Sequence, residues 1–403
     1  MPSVTRSVAT VVAVCLTGVA SGLLAQPATA GTRAEYTIKS AKLGETRTIY
    51  VVPPYDYADN DSRHAVVVLL DAGDGPQFAA AIANTEFLAN RGEIPSLIIV
   101  GLPNGRDRTH DLTPRPSRRV ARDNPTAGGA AATASFITDE VLPLVRSKYR
   151  TLPTTILAGH SFGGLFAVHV AATTPEAFSG IIAMSPSLWW NEFTAASAYA
   201  DSIARVKTPL RLFATSGGLE PDVDSSTRRF VARLDSIKPA ALALAYKRYP
   251  DDTHAMTPAA SLVDGIRFIF APLSLGRAPV LAIRKGDSTS VVNAFVATQR
   301  SYARAAHDLR MPESLPEPFV NTVGYAVLRE LRLPRVAAWV FRENVSAYPN
   351  SPNAYDSLGD ALLAAGNRQG ARAEFQRAID VATRNKLTVD SATRRKLKEV
   401  SSR

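Results

Sequence analysis

Five apolar runs of strand length restrict the folds open to this chain more than any other feature of its sequence. The apolar runs occupy residues 65–71, 95–104, 154–159, 178–186 and 210–218. A helix-like stretch follows each of them. Continuous apolar runs are typical of strands buried on both faces. Strands that alternate with helices predict a parallel sheet with helices on both sides. We therefore predict an α/β protein with a mostly parallel, doubly wound sheet, whose ligands bind at the carboxyl ends of the strands.

A glycine-flanked serine follows the third of these runs. Residues 159–163 read Gly-His-Ser-Phe-Gly and lead into an amphipathic, helix-like stretch. They match the G-x-S-x-G turn, which places a serine on a sharp corner between a strand and a helix. A serine hydroxyl is a weak nucleophile that needs an adjacent base. A plain glycine-rich turn is the alternative, but the strand and helix context favours Ser161 as a nucleophile.

Attack by Ser161 would develop negative charge on an oxygen of the substrate. The first amides of the helix after Ser161 face that charge, so the Phe162 amide is one predicted donor to it. A second donor is expected in the loop after residues 65–71, at Ala72 or Gly73, and we assign Ala72.

A histidine after the last strand would serve as the base. His254 occupies that position in the segment YKRYPDDTHAMTP, and a surface histidine is the alternative interpretation. His160 and His169 are expected to be packing residues because of their places in the turn and the next helix. His110 lies in an arginine-rich loop, and we interpret it as a substrate contact. The remaining histidines are His64, before a strand, and His307, outside the domain.

The third catalytic group would be a carboxylate that orients the histidine. Glu220, Asp222 and Asp224 all follow the run at 210–218 and qualify by position. Glu220 comes first after the glycines, so we choose it, while the other two remain open as alternatives. The order serine, acid, histidine is that of α/β-hydrolases.

The chain is basic, with 46 Lys and Arg against 36 Asp and Glu and a net charge of +10. No nucleic-acid-binding motif accompanies this charge, so no nucleic-acid partner is predicted. Much of the local excess lies in the loop at 103–128. This loop is either a solvated surface or a rim that attracts an anionic substrate, with Arg106 and Arg108 as candidate substrate contacts.

Trp189 and Trp190 are interpreted either as core residues or as the lining of an acyl or aryl pocket.

The first thirty residues have the pattern of an export signal. Arg6 is their sole charge, an apolar stretch follows, and Ala28-Thr29-Ala30 supplies a small-residue cleavage pattern. Cleavage would start the mature chain at Gly31 and remove Cys15, the one cysteine, so neither a disulfide nor a thiolate site is predicted. We expect a periplasmic or secreted protein without an integral membrane span. No metal or cofactor motif is present, so none is predicted.

A helical region follows the α/β part. Residues 273–316 are predicted to connect the two parts, and residues 317–385 contain an internal repeat that resembles a tetratricopeptide helix pair. Gly324 recurs at Gly359, and Phe341 recurs at Phe375. Two repeats are few for a free-standing array, so this region is expected to pack on the main domain or to bind a protein partner. Residues 386–403 are basic and are predicted to be a helical cap or a tail.

We predict an α/β-hydrolase domain at residues 31–272, of which residues 35–272 resemble the esterase D-type group of α/β-hydrolases, which includes feruloyl esterases and siderophore esterases. The segments LGETRTIYVVPPYDY, VVVLLDAGDGPQF, LPNGRDRTHDLTP, GHSFGGLFAVHVAATTPEAFSGIIAMSPSLWW and PDDTHAMTPAASLVDGIRFIF carry the resemblance. It implies an α/β-hydrolase fold with Ser161 as nucleophile and His254 as base. Some siderophore esterases use only a Ser-His pair, and the loop after Asp71 is longer here than is usual in the group.

These features together predict an exported serine esterase that acts on a small-molecule ester. Acyl transfer to a sugar or alcohol is an alternative, since related exported proteins do this. A non-catalytic scaffold that binds partners through the helical repeat is a second alternative.

Overall fold

The computed structural model describes residues 32–58, 61–73, 75–275 and 287–402. An eight-stranded sheet has the strand order β1-β2-β4-β3-β5-β6-β7-β8. The strands are β1 (Ala34–Lys39), β2 (Thr46–Val52), β3 (His64–Leu70), β4 (Leu97–Leu102), β5 (Thr151–His160), β6 (Gly180–Met184), β7 (Leu210–Gly217) and β8 (Leu242–Tyr249). The β1–β2 and β2–β4 pairs are antiparallel, and the pairs from β4 to β8 are parallel. The predicted signal at residues 1–30 lies outside the described residues.

Helices cover both faces of this sheet. They are α1 (Pro76–Asn90), α2 (Arg108–Leu112), α3 (Val120–Asp123), α4 (Ala130–Phe136), α5 (Leu142–Lys148), α6 (Phe162–Thr173), α7 (Thr194–Ile203), α8 (Pro221–Ile237) and α9 (Thr257–Phe270), with a π-helical turn at Ile137–Val141. Successive residues of β3 enter two separate cores: Val66 and Val68 face the core that contains α6, and Val67 and Leu69 face the core that contains α1 and α9. This confirms the predicted doubly wound α/β fold, because a strand with two apolar faces needs a helical layer on each.

The strand order reverses direction at β3. β4 lies on one side of β3 and β5 on the other, so the chain leaves this point in opposite directions. Such a reversal leaves a crevice outside the carboxyl ends of the strands, where open α/β sheets bind ligands. The residues after β3 and the turn after β5 therefore meet at the predicted place for a site.

The remaining described residues form a helical region with its own core. Its helices are α10 (Ser288–Leu309), α11 (Glu317–Arg329), α12 (Pro334–Ala347), α13 (Pro352–Ala364), α14 (Arg368–Arg384) and α15 (Ser391–Ser401). The repeated residues pair in space: a Cβ atom at Gly324 would lie 2.4 Å from the Phe341 ring, and one at Gly359 would lie 2.4 Å from the Phe375 ring. Glycine is therefore needed at both positions, because each phenylalanine fills the space of the missing side chain.

Two parts of this region contain helices that the sequence described only loosely. The predicted connector at 273–316 contains the 22-residue α10, which buries Val291 and Phe295. Within the predicted basic tail, α15 packs beside the repeat, and Lys396 Nζ lies 2.7 Å from Asp356 and 2.9 Å from Asp360. The acidic partners of Lys396 lie far back along the chain, so these contacts could not be predicted from residues 386–403 alone.

The helical region is joined to the sheet near the amino end of β5. Thr154 Oγ1 donates to the carbonyl oxygens of Leu309 and Arg310 at 2.8 and 2.9 Å. These carbonyls terminate α10 and would otherwise lack partners. Arg310 Nη1 also donates to the Glu176 carbonyl at 2.7 Å, and Leu309 enters the core beneath α9. Across the described residues, no helix combines the length and hydropathy that crossing a membrane requires.

Candidate active site

Ser161 stands alone between the last residue of β5 and the first residue of α6. Its backbone φ is 61° and its ψ is −117°, a conformation that residues other than glycine rarely adopt. A Cβ atom at Gly159 would lie 2.3 Å from the Gly163 carbonyl oxygen, so the two backbones approach too closely for any other residue. The Ser161 amide donates to the Met184 carbonyl at 3.0 Å, and the Ser161 carbonyl accepts from the Ser187 amide at 3.1 Å. The strained turn is thus held from both sides.

His254 and Glu220 meet near this turn. His254 Nδ1 is hydrogen-bonded to Glu220 Oε2. The Glu220 side chain is 5% exposed, and its other oxygen accepts from Ser185 Oγ at 2.6 Å and from the Gly217 amide. Burial raises the pKa of Glu220, but the hydrogen bonds from His254, Ser185 and the Gly217 amide outweigh burial and hold that pKa below its usual value. The carboxylate is therefore ionised at neutral pH and can fix the tautomer of His254.

The two other candidate acids have different surroundings. Asp224 accepts hydrogen bonds from Ser216 Oγ at 2.6 Å, Tyr246 Oη at 3.1 Å and Arg248 Nε at 3.2 Å. Asp222 is exposed on the first turn of α8. Neither is hydrogen-bonded to His254 in the described part of the chain, so the geometry favours Glu220.

His160 supports the loop that carries His254. The two rings lie 4.4 Å apart between centroids, and His160 Nε2 is 2.9 Å from the His254 carbonyl oxygen. Burial lowers the pKa of His160 to about 4, and repulsion from a protonated His254 acts in the same direction. A neutral His160 can therefore donate to that carbonyl throughout the physiological pH range.

The hydroxyl of Ser161 is not hydrogen-bonded to its predicted base in the described residues. Within the residues described, Ser161 Oγ lies 3.4 Å from Ser187 Oγ, and no hydrogen bond joins it to His254. Catalytic hydrogen bonds are often long in unliganded hydrolases and tighten when substrate binds.

The structure corrects the predicted oxyanion donors in one respect. The Phe162 amide is the first of α6, where helix geometry provides no acceptor, so it is available. The Ala72 amide donates to the Leu102 carbonyl at 3.1 Å. The assignment of Ala72 is therefore wrong, because its amide is already used to extend the pairing of β3 with β4. Gly73, the alternative, is the remaining candidate.

Arg108 holds the two sides of the crevice together. Its Nε and Nη2 atoms contact the carboxylate of Asp71 at 2.6 and 2.8 Å, and Nη2 donates to the His160 carbonyl at 3.2 Å. Asp71 directly follows the last residue of β3 and has a backbone φ of 57°. These bonds give Arg108 a structural role at the crevice, and its predicted contact with substrate stays a prediction. Sequence reasoning gave Asp71 no role, although a carboxylate directly after a buried apolar run was an available signal.

The other predicted substrate contacts are less closely tied to Ser161. Arg106 is exposed, and His110 Nδ1 lies 2.5 Å from the Thr126 carbonyl oxygen of its own loop. Trp190 is 1% exposed and belongs to the core, while Trp189 is half-buried. The Phe162 ring lies 5.5 Å from Trp190 and 6.0 Å from Trp189 between centroids. Both tryptophans thus pack against the residue that follows Ser161, and Trp189 keeps an exposed edge.

The low pKa of His160 predicts a loss of stability in acid. The unfolded chain binds a proton at His160 near pH 6.5, whereas the folded protein does so only near pH 4. The contribution of His160 to the free energy of unfolding is therefore complete above pH 6.5 and falls as the pH drops to 4, by at most about 3 kcal/mol. Urea unfolding at pH 7 and pH 4 should show a smaller decrease for His160→Gln than for the wild type. The exposed His307→Gln is the control, and an equal decrease in all three proteins would contradict the prediction.

Comparison with known proteins places this geometry in a family. A family model described as "Putative esterase" matches residues 40–248. The ferri-bacillibactin esterase of Bacillus subtilis is 26% identical over 239 residues, which cover 53% of this chain and 82% of that protein. A siderophore triacetylfusarinine C esterase of Aspergillus fumigatus is 37% identical over 109 residues, which cover 24% of this chain. The match spans about a third of the fungal protein, 34% of its length.

The fold is shared with solved structures. The crystal structure of an IroE-like serine hydrolase from Shewanella oneidensis superposes with a TM-score of 0.65 at 23% identity. The match covers 77% of this chain and 98% of that one. Together with the family match, which spans more than half of the chain, this confirms the resemblance predicted from the sequence. The chain belongs to the esterase family and has the α/β-hydrolase fold.

Proposed function

We propose that this protein hydrolyses carboxylic esters through an acyl-enzyme at Ser161. The observation that carries the proposal is the contact between His254 Nδ1 and the buried Glu220 carboxylate, beside a serine in a strained turn. A carboxylate, an imidazole and a serine hydroxyl at the carboxyl ends of the strands form the arrangement that activates serine in hydrolases.

Each group has a defined part in the reaction. Ser161 Oγ attacks the ester carbonyl carbon while His254 Nε2 accepts its proton. The oxyanion that forms accepts hydrogen bonds from the Phe162 amide and, in our proposal, from the Gly73 amide. The tetrahedral intermediate collapses, the C–O bond breaks, and His254 returns the proton to the departing alkoxide. Water then attacks the acyl-enzyme by the same route and releases the acid together with free Ser161.

Glu220 acts by orientation and charge. Its ionised carboxylate holds the proton on Nδ1, which leaves Nε2 free to accept the proton of Ser161. It also stabilises the imidazolium that forms during attack. The bonds from Ser185 and the Gly217 amide keep the carboxylate fixed, so this orientation exists before substrate arrives.

The relatives indicate which esters to test first. The two relatives described above are named as a siderophore triacetylfusarinine C esterase and a ferri-bacillibactin esterase, so siderophore esters are candidate substrates. Acyl transfer is a competing outcome of the same acyl-enzyme, and a transfer product formed with an added alcohol would reveal it.

We propose that the protein acts outside the cytoplasm because of the pattern of residues 1–30. A protein recovered from the periplasm or the medium should then begin at Gly31.

Covalent labelling tests the proposal. A fluorophosphonate should modify the folded protein, and mass spectrometry of the peptides should locate the adduct on Ser161. His254→Ala should lose the label because the hydroxyl is no longer activated. His307→Ala serves as the control and should label like the wild type. Absence of label on the folded wild-type protein would contradict the esterase and favour a scaffold.

A further inference from the structure

An apolar cleft of about 240 Å³ opens between α1 and α9 at the carboxyl ends of β3, β5 and β6. Most of its wall is formed by apolar side chains, including Phe78, Ala81, Met184, Met256 and Leu262. Phe78 and Leu262 belong to the core beneath the cleft, whereas Met256 is 59% exposed at its mouth. The floor is therefore rigid, and the rim carries a flexible side chain that can adapt to a bound group.

This cleft adjoins the segments that carry the proposed chemistry. His160 and Asp71 are part of its wall, and they directly precede Ser161 and Ala72 in the chain. Ala255 and Met256, which follow the base His254, form another part of it. A group bound in the cleft would thus lie beside the nucleophile, the base and the oxyanion loop.

The walls provide no positive charge. Among the described residues that line the cleft, none is lysine or arginine. The Asp71 carboxylate is neutralised by Arg108. An anionic group would lose its water here without gaining a counter-charge, which is unfavourable.

The volume suits a small apolar group. A cavity of about 150 Å³ with apolar walls is sufficient for a benzene ring. The 240 Å³ of this cleft accommodates a phenyl ring or a short alkyl chain with room at the mouth. Several fused or linked aromatic rings would not fit within it.

We propose that this cleft binds the acyl group of an uncharged ester, so that the substrates are neutral esters of short alkyl or aryl acids. This inference rests on the proposed esterase function and narrows its substrate class. It predicts that anionic esters and large catecholate siderophore esters are poor substrates of this chain, although the names of its relatives suggest siderophore esters.

Matched esters test the inference. We would measure kcat/KM for 4-nitrophenyl acetate, 4-nitrophenyl pentanoate and the 4-nitrophenyl monoester of glutaric acid, which resembles pentanoate with a terminal carboxylate. Each methylene buried in the cleft should raise kcat/KM about fourfold, so pentanoate should exceed acetate by roughly 60-fold. The glutarate monoester should fall at least tenfold below pentanoate. Equal rates for acetate and pentanoate, or faster cleavage of glutarate or of a catecholate trilactone, would overturn the inference.

A pair of variants locates the effect. Ala80 and Ala83 are both exposed on α1, but only Ala80 lines the cleft. Ala80→Trp should lower kcat/KM for pentanoate tenfold or more and that for acetate by a clearly smaller factor, because the acetyl group reaches less far into the cleft, whereas Ala83→Trp should leave both unchanged. A uniform effect of Ala80→Trp on both esters would refute the cleft as the acyl site. Hydrolysis of neither the three esters nor the catecholate trilactone, together with no fluorophosphonate label on Ser161, would refute the esterase function itself.

Discussion

Replacing Ser161 with alanine should lower kcat by about 10⁴- to 10⁶-fold, the loss seen when a serine hydrolase lacks its nucleophile. The reason is that no covalent intermediate can form, so water must attack the ester directly. The fold should persist, because the turn is held by main-chain bonds to Met184 and Ser187 that do not involve the hydroxyl. Initial rates with 4-nitrophenyl acetate measure the loss, and thermal unfolding shows whether the variant remains folded.

A neighbouring serine supplies the matched control for that experiment. Ser187 Oγ lies 3.4 Å from Ser161 Oγ and is the nearest rival nucleophile by geometry. Ser187→Ala should keep kcat within about tenfold of the wild type, since removal of one neutral hydrogen bond costs about 1 kcal/mol. Full turnover by purified Ser161→Ala, or loss of turnover in Ser187→Ala alone, would transfer the role to another residue.

Replacing Glu220 with glutamine should lower kcat by about 10⁴-fold, as expected when the carboxylate that orients a catalytic histidine is neutralised. Glutamine keeps an oxygen that can accept from Ser185 and the Gly217 amide, so the loop should stay in place. It removes the charge that stabilises the imidazolium, and its amide can bind the wrong tautomer of His254. KM should change little, because the substrate does not contact this side chain.

Asp224→Asn is the matched control for Glu220. Asp224 is buried to a similar degree, but its partners are Ser216, Tyr246 and Arg248. Its substitution should reduce the free energy of unfolding by about 1–3 kcal/mol through the weakened bonds and leave kcat within tenfold of the wild type. If Asp224→Asn lost activity and Glu220→Gln retained it, the assignment of the acid would be reversed.

The strands and the serine turn could be predicted because local chemistry determines them. A run such as Ile98 to Val100 has no polar face, so it can only be buried between two layers. The glycine at 159 is similarly decisive, because the close approach of the Gly163 carbonyl excludes every other residue there. Such constraints are contained in a few consecutive residues.

The details of the site depended on distant partners. The amide of Ala72 is unavailable because β4 offers it the Leu102 carbonyl, and that pairing joins segments thirty residues apart. Arg108 is committed to Asp71, which no pattern in its own loop indicates. Three carboxylates lie at positions 220, 222 and 224, shortly after the end of β7. Only the folded loop distinguishes the one that is hydrogen-bonded to His254.

The attachment of the helical region to Thr154 has a practical consequence. Thr154 precedes Ser161 by seven residues of β5, a separation of about 23 Å along an extended strand. A solid support coupled through α15 would therefore be anchored to the helical region. That region joins the sheet near the amino end of β5, opposite the crevice. Immobilised in this way, the protein would keep its entrance facing the solution, which makes the helical region a suitable point of attachment for a sensor surface.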